Sequence, residues 1–584
     1  MHDRWITSTL QTYEGDSRFA HAYSGADGNT VSLSRAELLA AVRASAGWLL
    51  AAGLRPGDRV ALVAGEPGPF VHAFLGAVWA GLVPVPVPPP PRLGRRDAWR
   101  EALGEALAVA GPRVVIAPET TLPLLSGLCP RSLPYTRQLP DSAGAVGPRE
   151  PVPYRPDRIV YLQFSSGSTG RPRAVAATAG AVNANAHAIM RDGLAADPDH
   201  DHAVSWLPLH HDMGLVGFVL APLAVGLPVT LLSAHEFVRD PGMWMRAMSR
   251  VRGTITFAPN FAFALAARRV RPDDIAGLDL SRVRVLGCGG EPVNASTLRR
   301  FTEAYAPAGL DPAALLPCFG LAESTLAVTF GARARGARTD AISPTALRDT
   351  DRAVPLDADP GTQSDAEPDA RPDARSDGAE APLEVINCGR PFPGHEVTVV
   401  DGLGARRPDR RVGEIWVRGP SVAAGYVGDA EATAETFRED GWLRTGDRGY
   451  LADGELHITG RLKDVLVVNG RTIDPTRLEW LVEAVPGVRA GGVVAFTRPS
   501  PYTEEVVVVV ECRRDAAPDL DRAIREVVAE HFALTVGEVV TAGPGTILRT
   551  TSGKPRRQEM RRRYLAGPPA VPGRRAEAHD VHSA

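Results

Sequence analysis

The stretch QFSSGSTGRPRAV, residues 163–175, decides how this chain is read. An apolar run, IVYLQF (159–164), feeds a loop of Ser, Gly and Thr, and a second extended segment follows. Small residues of this kind let backbone N–H groups close around an anion, and their hydroxyls add donors. The loop lacks the Gly-Lys-Ser/Thr ending of a Walker loop, and its basic residues are Arg171 and Arg173. In isolation a flexible surface turn is an equally good reading. Its surroundings decide between the two.

The strand–loop–helix pattern recurs on both sides. SRAELLAAVRASAGWLLAAG opens with Ser34 and Glu37 in capping-box spacing, and Leu38, Leu39, Val42, Ala46, Leu49 and Leu50 share one helical face. DRVALVA reads as a buried strand and PFVHAFLGAVWAG as a helix. AVSWLP and RVRVLGC are further strands that run into loops containing Pro, His or Gly. Such units predict an α/β fold, with functional loops at strand ends.

At 584 residues the chain is too long for one core. Its texture predicts a large N-terminal domain of layered sheets and helices (1–460), a charged junction, GRLKD, with a hinge at 461–464, and a small mobile α/β domain (465–566). In that last part EVVVVVEC is a strand, and a helix after Pro518 and Asp519 carries Leu520, Ile524, Val527 and Val528 on one side. Residues 349–382 hold eight Asp, two Glu and no aromatic residue, so they are expected to form a disordered spacer, and 567–584 a disordered tail.

Hydrophobic residues make up 44% of the chain and charged residues 23%, and the net charge is −3, which argues against bulk attraction to nucleic acid or anionic membrane. The five cysteines form no CxxC pair, so free thiols in a reducing, cytoplasmic setting are expected and a zinc site is not. The opening residues, MHDRWITSTLQTYEGD, lack the apolar core of a signal peptide. MGLVGFVLAPLAVGLPVTLL (213–232) is long enough for a membrane span, but Pro222, Pro228 and its glycines predict a buried helix, a break and a buried strand.

Downstream of the Ser/Gly/Thr loop come GCGGEPVN (287–294), CFGLAEST (318–325), GWLRTGDRGYL (441–451), GRLKD (460–464) and TSGKPRR (551–557). The set and its order resemble the adenylate-forming enzymes: acyl-CoA synthetases, luciferases, peptide-synthetase adenylation domains and fatty acyl-AMP ligases. The likeness covers nearly the whole chain. It is nearer to the fatty acyl-AMP ligases through WLPLHHDMGLVG (206–217), residues 237–270 and FGLAESTLAVTF (319–330). Ligases of this group carry an insertion that disfavours coenzyme A, and the region after Phe330, with ISPTALRDTD, is longer than a synthetase needs.

The resemblance implies attack of a fatty-acid carboxylate on the α-phosphate of ATP, with Mg²⁺, giving acyl-AMP and pyrophosphate. Ser165, Ser166, Gly167, Ser168, Thr169, Gly170 and Arg173 would hold the leaving phosphates. Family members usually have Pro-Lys-Gly where this chain has Pro172, Arg173 and Ala174. Glu323 would coordinate Mg²⁺; a solvated acid after a turn is the bland alternative. Phe319, in the place of a usual tyrosine, would stack on adenine beside Gly290, Glu291, Pro292 and Gly320. Asp447 and Arg461 would take the ribose, and Lys463 would be the hinge, an exposed linker lysine being an equal alternative. Lys554 would be the catalytic lysine, bridging carboxylate and α-phosphate from the small domain.

His211, Asp212, Met213 and Gly214 would gate the acyl pocket, although paired histidines are more often structural. LVGFVL (215–220) and APNFAFAL (258–265) would line an acyl tunnel or serve as ordinary core. The resemblance further implies transfer of the acyl group to the phosphopantetheine thiol of an acyl carrier protein acting in trans, with polyketide or lipopeptide biosynthesis as a setting. Two alternatives stay open: an acyl-CoA synthetase using free coenzyme A, and an adenylate-binding protein without turnover.

Overall fold

Ser34 and Glu37 form the reciprocal cap that their spacing requires: the Ser34 amide donates to Glu37 Oε2 at 2.7 Å, and the Glu37 amide to Ser34 Oγ at 3.3 Å. Helix Arg35–Ala51 buries Leu38, Leu39, Val42, Ala46 and Leu49. The computed structural model describes residues 4–24, 30–91, 96–129, 131–135, 147–166, 172–356, 382–468, 471–500, 504–512, 519–532, 534–549 and 555–567. The chain divides into two compact units, Met1–Leu347 with Arg352–Ile458, and Arg348–Asp351 with Thr459–Ala584.

In the first unit a nine-stranded sheet has its middle built from parallel strands: Leu315–Gly320, Val285–Cys288, Ile255–Ala258, Ala203–Ser205, Val229–Leu231 and Phe19–Ser24, in that spatial order. These strands are short and buried on both faces, which is why they read as unbroken apolar runs. Near their amino ends Asp201 accepts hydrogen bonds from Thr254 Oγ1 (2.7 Å) and Arg284 Nε (2.6 Å), tying three strands together. Helices cover the sheet through aromatic packing, Trp244 against Phe263 (5.4 Å) and Phe301 against both Phe263 (5.0 Å) and Tyr305 (4.8 Å). A second parallel sheet orders Val83–Val87, Arg59–Val63, Val114–Ala117 and Ser132–Pro134. An antiparallel sheet holds Glu396–Val400, Gly413–Arg418, Leu443–Ala452 and Glu455–Arg461.

Residues 213–232 fold as helix Asp212–Leu215, a π-helical turn Val216–Leu220, helix Ala221–Val225, and strand Val229–Leu231. The break comes at Gly226, whose φ of +74° caps the helix. Pro222 does not break it, because the widened π turn ahead accommodates a residue with no N–H to give. Among the described residues no helix is long and apolar enough to cross a membrane.

Residues 352–356, which the composition assigns to a disordered spacer, have a fixed place in the fold. Ala353 is buried with Ile342, Val385, Val412 and Tyr450, Arg352 bridges to Arg411, and Pro355 to Ile342. Buried Ala353 and main-chain hydrogen bonds to Arg410, Ser343 and Ala341 anchor residues 352–356; residues 357–381 lie outside the described ones. The region after Phe330 thus has structure of its own, a two-stranded sheet of Thr339–Ile342 and Leu383–Ile386, held to the antiparallel sheet by Asp340. Asp340 accepts from Tyr450 Oη at 2.7 Å and Arg410 Nη1 at 2.8 Å.

The second unit packs helices Pro475–Glu483 and Leu520–Phe532 on a sheet ordered Val488–Pro499, Glu504–Cys512, Val536–Ala542. Helix Leu520–Phe532 buries Leu520, Ile524 and Val528 as its periodicity predicts. All of the cysteines are free thiols.

Candidate active site

Four of the candidate loops lie at the carboxyl ends of the parallel strands, where α/β sheets place their ligands. The His-His-Asp loop follows Ala203–Ser205, residues 259–261 follow Ile255–Ala258, the GGEP loop follows Val285–Cys288, and the GLAEST turn follows Leu315–Gly320. Ser165 and Arg173 face each other across the hairpin of Ile159–Ser166 and Pro172–Thr178. Ser165 Oγ is buried and has no hydrogen-bond partner among the described residues. Gly167, Ser168, Thr169 and Gly170 lie outside the described residues, as does Lys554.

Hydrogen bonds join these loops. Gln163 Nε2 donates to the His210 carbonyl at 2.9 Å, fixing the hairpin to the histidine loop. The Glu291 carboxylate accepts the Phe261 amide at 2.6 Å, and Asn260 Oδ1 accepts the Asn294 amide at 3.0 Å. Glu291 thereby sits at the amino end of helix Asn260–Arg269, where a carboxylate meets unpaired N–H groups. Gly290 adopts φ +76°, and a β-carbon there would come 2.8 Å from Met213 Cε, so the candidate gate touches the GGEP loop. Pro292 is exposed. Gly214 passes close under the chain: a β-carbon would lie 2.3 Å from the Pro208 carbonyl oxygen. The His210 and His211 rings tilt against each other at 4.4 Å, and burial, then His211, holds the His210 imidazole well below its ordinary range. Asp212 opens the short helix that follows them.

Phe319 is buried beside Val328, Ile415 and Leu443. Beyond it the chain turns sharply. Thr325 has φ +66° and ψ −59°, and the Leu326 amide reaches the Ser324 carbonyl at 2.7 Å, a γ-turn that a β-branched residue adopts only under constraint. Gly320 is required by it, since a β-carbon would lie 1.9 Å from the Leu326 carbonyl oxygen. The constraint is a buried network. Thr325 Oγ1 donates to the Ser421 carbonyl at 2.7 Å, and Ser421 Oγ meets Ser324 Oγ at 3.0 Å and His395 Nε2 at 2.7 Å.

This turn presents Glu323, whose carbonyl accepts the Ala423 amide at 2.9 Å and whose Oε1 accepts Tyr426 Oη at 2.8 Å. Arg173 lies over the Tyr426 ring, 5.1 Å from its centre. Burial, then the Glu323 charge, pushes the Tyr426 phenol above its ordinary range, so it is a proton donor at neutral pH. The sequence gives no sign of Tyr426: AAGYVGD carries no spacing that announces it, and its partner Glu323 is 103 residues away. Asp447 is largely buried on strand Leu443–Ala452, its amide donating to Thr445 Oγ1 (3.0 Å), which donates to the Ile415 carbonyl (2.7 Å).

In the second unit Arg461 and Lys463 are exposed. The Lys463 carbonyl accepts Gln558 Nε2 at 3.1 Å, and Arg557 Nη1 lies 3.4 Å from Asp464 Oδ2. Arg557 also forks onto both oxygens of buried Glu479, at 2.9 and 3.0 Å. Burial pushes the Glu479 carboxyl up and Arg557 draws it back. Arg549 and Pro555, on either side of the undescribed residues 550–554, form a β-bridge.

Of the acyl-wall candidates, Leu215, Val216, Phe218, Val219 and Leu220 are buried, Phe263 belongs to the core against Trp244, and Phe261 is 37% exposed. Phe261 meets Trp206 edge-on at 6.2 Å.

Residues 12–427 match the model of the AMP-binding enzyme family. A Caulobacter vibrioides protein provisionally named an acyl-CoA synthetase is 38% identical over 89% of this chain and 88% of its own length. The long-chain-fatty-acid–AMP ligase FadD26 of Mycobacterium marinum is 35% identical over 87% of each chain. A solved structure from work on the fatty acyl-adenylate ligases of E. coli and L. pneumophila superimposes with a TM-score of 0.84 at 34% identity, covering 96% of this chain and 97% of that one. This chain belongs to the AMP-binding enzyme family and is an ATP-dependent adenylate-forming ligase.

Proposed function

We propose that the protein is a fatty acyl-AMP ligase that passes its acyl group to the phosphopantetheine thiol of a separate acyl carrier protein. The observation that carries this is the full-length likeness to the fatty acyl-adenylate ligase fold. The 35% identity to the long-chain-fatty-acid–AMP ligase FadD26 supports the acyl-AMP half of it.

Two anions must meet for the carboxylate to attack the α-phosphate, so the site's task is neutralising charge and holding the reactants in line. Arg173 and the hairpin hydroxyls would grip the leaving phosphates. Phe319, Gly290 and Gly320 would frame the adenine, and Asp447 would accept from the ribose hydroxyls. Lys554 would bring a mobile point charge to the carboxylate and α-phosphate oxygens. Glu323 fits a hard cation: it offers carboxylate oxygens on a clamped turn, and Tyr426 takes only one of them. Mg²⁺ held there would neutralise phosphate charge.

The 38% identical Caulobacter protein keeps an acyl-CoA synthetase as second reading. Incubation with ATP, Mg²⁺ and a ladder of fatty acids, followed by coenzyme A or a phosphopantetheine-loaded carrier protein, separates them. Acyl-AMP that persists with coenzyme A and is consumed by the carrier supports the ligase. Conversion to acyl-CoA establishes the synthetase, and no adenylate with any acid overturns both.

A further inference from the structure

Tyr426 touches both charged groups of the candidate phosphate site. Its ring carries the Arg173 guanidinium at 5.1 Å, and its hydroxyl donates to Glu323 Oε1 at 2.8 Å. It is itself held from three directions. Gly425 and Val427 bond to Ala176 and Ala174, extending the phosphate hairpin by an edge, with Tyr426 bridged to Val175. The Tyr426 amide donates to Thr433 Oγ1 at 3.0 Å, and Phe437 packs edge-on against the ring at 5.3 Å.

An arginine and a glutamate at a phosphate site face a conflict. Paired directly, each would occupy the donors or acceptors of the other, and those groups would be lost to phosphate and metal. A phenol offers a π face to the cation and an O–H to the anion without adding charge. Arg173 keeps its N–H edges and Glu323 its second oxygen. A lysine would not use the ring in this way, because its ammonium is a compact, strongly hydrated charge without a planar face.

We propose that Tyr426 is the positioning residue of the nucleotide site, its ring face setting the phosphate-binding Arg173 and its hydroxyl setting the metal-holding Glu323. The inference rests on the reading of Glu323 as the Mg²⁺ ligand and of Arg173 as a phosphate contact, and it adds that the two are set through one side chain. The two halves are separable: phenylalanine keeps the face and loses the hydroxyl, and lysine at 173 keeps the charge and loses the stacking plane.

The test is calorimetric binding of α,β-methylene-ATP to the full-length protein without fatty acid, in Mg²⁺ and in EDTA, beside the urea midpoint of each ligand-free variant. Tyr426→Phe is expected to shrink the affinity gained from Mg²⁺ by about tenfold, the worth of one hydrogen bond to a charged group, with binding in EDTA unchanged. Arg173→Lys is expected to weaken binding in EDTA and leave the Mg²⁺ gain intact; Tyr426→Leu is expected to lose both. The Mg²⁺ concentration giving half-maximal pyrophosphate exchange should rise by a similar factor in Tyr426→Phe. Glu323→Gln is the control: if the Mg²⁺ gain survives it, the metal reading of Glu323 fails. If Glu323→Gln abolishes the gain and Tyr426→Phe leaves it whole, even with a lowered urea midpoint, Tyr426 is only structural and the proposal is overturned. Unchanged EDTA binding in Arg173→Lys overturns the stacking half.

Discussion

Gln163 holds the His210 main-chain carbonyl at 2.9 Å, so the strand leading into the Ser/Gly/Thr loop and the loop carrying the paired histidines are one assembly. Both ends of this bond are buried. Gln163→Leu would keep the bulk and leave a buried carbonyl unpaired, which costs about 1–3 kcal/mol. Urea unfolding should show that loss. An unchanged midpoint would mean that the two segments are held together by other contacts.

Gly290 faces two separate constraints, its positive φ and the Met213 side chain. The methionine end is flexible and can yield, whereas the left-handed backbone penalises any β-carbon by about 1–2 kcal/mol. Gly290→Ala is therefore expected to lower stability by that amount, with Met213→Ala recovering less than half of it. Complete recovery in the double variant would show that the methionine contact, rather than the backbone, is what requires glycine.

Ser421 is the hub under the Glu323 turn, with its hydroxyl on Ser324 and His395 and its carbonyl on Thr325. Ser421→Ala removes the hydroxyl from a fully buried network, at an expected cost of about 1–3 kcal/mol in chemical denaturation. ATP affinity should fall with it, because the strained turn loses its restraint.

Acid should destabilise the first unit through its buried imidazoles. Burial lowers His21 to about 3, and His72 and His202 to about 4, from an ordinary value of 6.5. Each is neutral in the fold. As pH falls below 6.5 the unfolded chain takes up protons that the folded chain does not, so stability is full above that value and is lost progressively toward pH 4. Urea midpoints measured from pH 7.5 to 5 should decline. A flat profile would show that these rings are protonated in the fold.

Lys554 and Arg557, three residues apart, should fail in different ways. Lys554→Ala is expected to lower fatty-acid-dependent pyrophosphate exchange by about a hundredfold or more while the protein stays folded. Arg557→Met strands buried Glu479 without its partner, and loss of one member of such a pair costs about 3–5 kcal/mol. Comparing exchange rates with urea midpoints separates the chemical role from the structural one.

The regular elements are legible in the sequence where local rules suffice. The Ser34–Glu37 cap, the apolar strands and the Gly226 break all follow from spacing a few residues long. The gathering of GGEP and GLAEST at one sheet edge follows from strand–loop–helix repetition. What stays hidden depends on distance along the chain. Tyr426 meets Glu323 across 103 residues, and Gln163 meets His210 across 47, so no local period marks either pair. Composition misreads residues 352–356 because it averages over a window, whereas buried Ala353 and main-chain hydrogen bonds to Arg410, Ser343 and Ala341 hold that stretch.

The two bonds that cross between residues 260–261 and 291–294 bear on redesign of acyl choice. They brace the candidate acyl wall directly to the loop proposed to frame the adenine. An edit at Asn260, whose side chain makes one of these bonds, meant to admit a longer or bulkier acid would therefore also disturb the loop proposed to frame the adenine, and lost activity would be misread as poor substrate fit. Libraries aimed at Phe218, Val219 and Leu220 act away from that brace. Among the proposed wall positions, these leave the Asn260–Asn294 bond intact.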